Sequence, residues 1–278
     1  MRRPLQLGAL SVVVLTCVLL GAAREARAGA WTRPLGGVYA KVGAAYFMAT
    51  ASNVLSGRVR QGATFSSERY ELYGEVGIGG GFQLELSLPL LRNHNRFDSG
   101  GSASRAGLGD LAIGLAWGLR RKLWAVAFRA APRLPLYSRV DVAAGDLPEA
   151  PELGDGKPDL DLVLLVGRSL HPWRGWVEIS VGQRLRLSHF AGAVMLSAKA
   201  GGFVGQLMLT AELRLMRGFG VGDDQLTKPL PTHVLSVEPK AAFFIVGGLA
   251  VEALVTFDLP GASRDPGIAI GGGLMFQR

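Results

Sequence analysis

The sequence predicts an all-β chain: a single transmembrane antiparallel β-barrel of about twelve strands, preceded by a cleaved signal peptide. Three observations carry that expectation. Apolar residues alternate with polar ones at period two along most of the 278 residues, the signature of strands with two unlike faces. Past residue 28 no segment reaches the ~18 uncharged apolar residues of a membrane-crossing helix, although 49% of the chain is hydrophobic. The connections also sort by length, tight turns alternating with long loops, as in an outer-membrane barrel with both termini in the periplasm. A soluble sandwich has no reason to sort its loops in this way.

Residues 1–28 read as a secretory signal. Arg2 and Arg3 precede an uncharged stretch from Pro4 to Ala23, and Ala26-Arg27-Ala28 forms an A-x-A site cut before Gly29. A membrane anchor is the alternative, since the stretch is long for a signal, but glycine-rich, helix-poor sequence follows at once. Leu15-Thr16 before Cys17 is a poor lipoprotein box. Cleavage lowers the net charge from +8 to +5 and removes the single cysteine. An exported chain without cysteine has no disulfide scaffold and no thiolate chemistry. Its basic residues are spread along the chain, which argues against nucleic-acid binding. Glycine is 39 of 278 residues, about twice the usual share, without the G-X-Y period of collagen.

Twelve alternating segments follow in order, near 37–49, 66–78, 81–91, 107–119, 123–136, 159–169, 175–188, 191–201, 203–216, 232–245, 248–258 and 266–277. The clearest run is Phe82, Leu84, Leu86, Leu88 and Leu90, with Gln83, Glu85 and Ser87 between. Short turns are expected at Gly79-Gly80, Arg120–Lys122, Leu170–Arg174, Gly201-Gly202 and Val246-Gly247. Long loops are expected at 50–65, 92–106, 137–158 and 217–231, with a shorter one at 259–265. His189-Phe190 breaks the rule as a short outer connection. Pro239 would remove a ladder bond inside its strand, so a bulge is expected there. Trp117, Trp124, Trp173 and Trp176 fall near turns, where an interfacial aromatic girdle would sit.

With the apolar set facing lipid, the other set faces the lumen. Its acids include Glu71, Glu75, Glu85, Asp110, Asp159, Asp161, Glu178, Glu212, Glu238 and Glu252. Its bases are Lys41, Arg129, Arg133, Arg184, Arg186, Lys199, Arg214 and Lys240. Ten acids against eight bases make a nearly neutral interior, either a polar permeation path or a salt-bridged filling. Twelve strands ~4.8 Å apart, tilted ~40°, close to a backbone diameter of roughly 24 Å, which side chains narrow to a thin bore or none. Arg58, Arg60, Arg92, Arg96 and Arg105 of the first two loops should meet Asp141, Asp146, Glu149, Glu152 and Asp155 of the third over the mouth.

Other motifs fail on context. Gly218, Gly220 and Gly222 lie in a loop with no helix after it, so they do not form a dinucleotide site. Asp155, Asp159 and Asp161 lack the terminal bidentate glutamate of a calcium loop. His94, His189 and His233 are too scattered for a metal. Ser188-His189 point to opposite faces of a strand, and Ser169 with His171 lies in a turn, so no catalytic triad forms. No catalytic residue, metal or cofactor is expected.

Several stretches resemble a known group. They are Trp31-Thr32-Arg33-Pro34 with Gly37-Val38-Tyr39-Ala40-Lys41, Tyr73-Gly74-Glu75, Leu88-Pro89, and Gly107-Leu108-Gly109-Asp110-Leu111 with Gly114-Leu115. Gly167-Arg168-Ser169-Leu170 and Gly182-Gln183-Arg184-Leu185-Arg186 continue the likeness. Together they resemble the outer-membrane barrels grouped as phenol-degradation meta-pathway transporters, relatives of the long-chain fatty-acid transporter barrels. The resemblance implies passive uptake of small, often apolar or aromatic molecules and supplies no site residues. Unlike many such barrels the chain does not end on its aromatic residue: Gln277-Arg278 follow Phe276.

The expectation is therefore a monomeric barrel in a bacterial outer membrane, passing small solutes through a narrow charged lumen. Outer-membrane lipid and the barrel-insertion machinery are its expected partners, and nucleic acid is not. A non-conducting structural or surface-interaction barrel sealed by lumenal salt bridges is the rival, and an outer-membrane lipid hydrolase comes third.

Overall fold

The computed structural model describes residues 29–53, 59–98, 100–138, 151–154, 156–186, 192–219, 233–259 and 266–278. All their regular structure is strand, in the order β1 (Val38–Asn53), β2 (Val59–Gly79), β3 (Phe82–Phe97), β4 (Ser102–Leu108), β5 (Asp110–Arg121), β6 (Trp124–Pro135), β7 (Asp159–Ser169), β8 (Gly175–Arg186), β9 (Gly192–Val204), β10 (Leu207–Phe219), β11 (His233–Val246), β12 (Leu249–Leu259) and β13 (Gly267–Gln277). Every pairing is antiparallel between neighbours, and β1 pairs with β13 as well as β2, so the sheet closes. β4 and β5 both pair with β3 and are two halves of one stave, broken at Gly109, whose N–H bonds the Pro89 carbonyl at 2.8 Å. The barrel thus has twelve staves.

Closure follows from the alternation. Large apolar side chains stand outward, including Ile179 and Ile270 at 65% exposed and Val42 at 61%. In water such a belt would be an aggregation surface. Around a closed sheet, with every ladder bond satisfied internally, it is what lipid requires. The inward positions are instead polar or small: Gln83, Asp159, Asp161, Glu178, Glu238 and Glu252 are buried, as are Ala116, Ala125, Ala127, Ala242 and Ala250.

Several boundaries differ from expectation. The first two outer loops are largely strand: β1 and β2 continue to Asn53 and from Val59, and β3 and β4 leave only residues 98–101 between them. Above the membrane a strand has water on both faces, so these stretches lose the alternation that marks a strand in sequence. The turn expected at Gly201-Gly202 lies at residues 205–206 instead, and both glycines pair within β9. A Cβ on Gly201 would lie 2.5 Å from Trp176 Cζ2, so glycine there makes room for an indole. The turns at 80–81, 122–123 and 247–248 sit one or two residues later than read.

Pro239 holds no bulge. It pairs in register with Ala211, and its missing N–H coincides with a lapse of the β11–β12 ladder between Val237 and Lys240. The bulge falls at Phe244–Val246. Trp117, Trp124 and Trp173 point outward, but Trp176 is 5% exposed and faces inward. It shares the parity of Glu178, which already predicts that orientation. His189-Phe190, with Arg58, Asp141, Asp146, Glu149 and Asp155, lies outside the described residues.

Candidate functional site: the charged lumen

The lumen is layered. At the short-turn end Trp31, Trp176, Val163 and Leu165 pack with Ala30, Ala125 and Ala127 into an apolar floor, joined by Phe203 and Met208. Residues 29–33, which fall in none of the expected strands, run inside the barrel. Arg33 donates its backbone N–H to Gln83 Oε1 at 2.9 Å and its Nε to Glu75 at 2.5 Å. The Ala30 N–H bonds Glu178 Oε2 at 2.7 Å. This strap crosses glycines on every second stave, β2, β5 and β7: a Cβ on Gly77 would strike the Arg33 carbonyl at 2.5 Å, one on Gly118 Thr32 at 2.7 Å, and one on Gly167 the Trp31 ring. These glycines share parity with Ala116, Glu75 and Leu165, so inward-facing glycines near the turns were the available signal.

Above the floor stands a ring of charge. Lys41 pairs with Glu252, reaching past the glycines of β13. Arg129 approaches Glu85 at 3.5 Å across Gly114, which lies between them on β5. Arg214 bonds Glu212 at 2.7 Å and Glu238 at 3.0 Å, and Lys240 meets Glu238 at 2.6 Å. A second cluster climbs β5 to β8. Arg184 grips Asp161 with two bonds of 2.7 and 3.0 Å, and Arg186 holds Asp159 at 3.1 Å. Arg133 touches Asp110 at 3.4 Å and Asp161 at 3.8 Å. Higher still, Arg105 meets Glu152 at 2.6 Å, one of the loop contacts expected, whereas Arg92 turns to Glu68.

The eighteen charged residues assigned to the inward parity all stand on the inward face of their staves, which fixes their position and not a role in permeation. The ion pairs named above join neighbouring or next-nearest staves and run along the wall. A cavity of about 390 Å³ remains, lined from every stave. That volume lies within the ~300–1,000 Å³ of small-molecule sites. Six acids (Glu71, Glu75, Glu85, Glu178, Glu212 and Glu252) face six bases (Arg33, Lys41, Arg129, Lys199, Arg214 and Lys240) around it. The buried Nε1 of Trp176 and Nε of Arg129 have no hydrogen-bond partner among the described residues, leaving two fixed donors in residues that line the space. Of the residues weighed for hydrolysis, Ser169 ends β7 and His171 sits in the β7–β8 turn, while Ser188 and His189 are outside the described residues.

A closed twelve-staved sheet with a lipid-facing apolar belt and a charged interior decides the class. The chain folds as a closed β-barrel of the transmembrane type. Residues 43–144 match the family model described as "Putative MetA-pathway of phenol degradation". No curated protein matches the chain in sequence. Among solved structures, the COG4313 outer membrane channel from Pseudomonas putida F1 aligns with a TM-score of 0.64 at 14% identity, covering 91% of this chain and all of that one. The NanC porin aligns at 0.57 with 7% identity over 85% and 98%. The translocator domain of the autotransporter NalP from Neisseria meningitidis aligns at 0.55 with 12% identity over 97% and 95%. At these identities the likeness is one of fold, and it confirms the barrel.

Proposed function

We propose that this barrel is a passive conduit for small solutes, apolar or aromatic ones among them, crossing the outer membrane as a monomer placed there by the cell's barrel-insertion machinery. The observation that carries this is the placement of the ion pairs along the wall. Above the apolar floor and the strap, the named pairs lie along the wall and leave a cavity bounded by charge. The Tyr39, Tyr73, Trp176 and Met208 side chains give this space apolar walls, and the Trp176 and Arg129 donors offer a grip to a solute bearing one acceptor oxygen. Six acids against six bases predict little preference between anions and cations. The phenol-degradation family match, and the likeness in fold to an outer-membrane channel and to the NanC porin, support the same reading.

The test is the conductance of refolded residues 29–278 in a planar bilayer at two ionic strengths, followed by liposome swelling with phenol and with a sugar of similar size. Discrete steps that scale with salt, and faster swelling with phenol, are expected. Silence from protein shown folded by its heat-modifiable gel mobility refutes the water-filled bore.

A further inference from the structure

We propose that cleavage before Gly29 creates an ion pair inside the barrel: the new α-ammonium group seats against the Glu178 carboxylate and pins the lumenal strap. The proposal rests on the signal-peptide expectation and on three structural facts.

The first is that Glu178 is a carboxylate in need of a cation. It is 6% exposed. Lys199 lies directly opposite on β9. Yet among the described residues no side-chain nitrogen of Lys, Arg or His comes within 4.0 Å of the Glu178 carboxylate, whereas Glu75, Glu85, Glu212, Glu238 and Glu252 each have such a partner. Lys199 and Arg129 act on it only at longer range, and a buried carboxylate without a contacting counter-charge is unfavourable. Among the described residues, the Ala30 N–H donates to it at 2.7 Å.

The second is position. A substituent added to the Gly29 Cα would lie 2.5 and 2.6 Å from the two Glu178 oxygens. The amine is carried by that same Cα. While Ala28 is attached, this nitrogen is a neutral amide, held at a left-handed φ of +41°. Once Ala28 is gone it is an ammonium with three donors, free to rotate about the N–Cα bond. Glycine is needed because a side chain there would collide with the carboxylate it serves.

The third is what the pair would hold. Glu178 stands on β8, six staves round the ring from β1, where the strap enters the wall. Arg33 anchors the strap at its near end, through Glu75 and Gln83. The Gly29 ammonium would anchor its far end, with Trp31 packed against Gly167 between them. Processing of the precursor would thereby complete the lumen, since the unprocessed amide carries no charge to offer Glu178.

The test begins with protein isolated from outer membranes. Its intact mass should place the first residue at Gly29. A water-soluble acetylating ester at pH ~8, near the ordinary α-amino pKa, then labels amines, and peptide masses give the rate at Gly29 relative to exposed Lys122. Each unit by which pairing holds the amine protonated slows labelling tenfold, so Gly29 should react at least about tenfold more slowly in the folded barrel than in guanidinium. In folded Glu178→Gln most of that protection should vanish. If Glu178→Gln fails to show the heat-modifiable shift of a folded barrel, the folded-to-unfolded ratio of the unaltered protein decides alone. Equal rates folded and unfolded overturn the ion pair, as does full protection in folded Glu178→Gln, and both leave the cleavage site standing. A first residue other than Gly29 overturns the proposal together with that site.

Discussion

The Arg184–Asp161 pair offers the sharpest test of how the wall is held. Arg184→Gln removes a guanidinium that makes two bonds of 2.7 and 3.0 Å to a carboxylate only 9% exposed. Breaking a buried pair from one side costs ~3–5 kcal/mol because the other charge is stranded. Two features reduce that here: Arg184 itself is 23% exposed to the bore, and Arg133 stands 3.8 Å from the same carboxylate. A loss of about 2 kcal/mol is expected, roughly a thirtyfold fall in the folded-to-unfolded ratio. Asp161→Asn alone should cost less, since it leaves a charge that is better hydrated. The double variant should recover part of the loss, with a coupling of ~1–3 kcal/mol. Guanidinium unfolding in micelles, followed by tryptophan fluorescence, reads all four corners of the cycle. Conductance should rise in Arg184→Gln, because the lost group lines the bore and does not bridge it. A coupling below ~0.5 kcal/mol, the usual error of additivity, would refute the idea that these charges stabilise each other.

Three further outcomes are expected. Gly201→Val forces a branched side chain to within 2.5 Å of the Trp176 ring and 2.8 Å of Thr210, so it should cost ~1–3 kcal/mol and shift the Trp fluorescence of the folded barrel. Val181→Arg places a charge on the lipid face midway along β8, and its folding into bilayers should weaken by ~2–4 kcal/mol in a guanidinium titration, whereas Ser180→Arg on the lumen face should not. Lys199→Glu turns a balanced ring acidic, and the reversal potential in a salt gradient should move from near zero toward that of cations.

Alternation made the staves legible because one face meets lipid and the other the bore, so burial and polarity agree along each strand. That agreement ends where water bathes both faces, which is why the extensions of β1 to β4 read as loops. Glycine misled for a related reason. Gly201-Gly202 resembles a turn, yet Gly201 is placed for Trp176, and sequence alone does not separate a glycine that bends the chain from one that yields space. The inward set was legible from parity alone, from Lys41 to Glu252. Its pairing was not, because Lys41–Glu252 and Arg129–Glu85 skip a stave and depend on small residues between. The strap was missed altogether: it has no partner strand and no period, and only Gly77, Gly118 and Gly167 on the inward face mark its course.

The uneven length of the staves gives the strand rim a direction. A strand needs ~9–11 residues to cross the hydrocarbon. β8, β9, β12 and β13 have 11–13. β1 and β3 have 16, and β2 has 21, roughly 69 Å of extended chain at ~3.3 Å per residue. The described strands therefore form a parapet on one flank and a low sill on the other. The strand rim is lopsided, and the orientation of the barrel about its own axis decides which neighbours in the membrane face its tall flank.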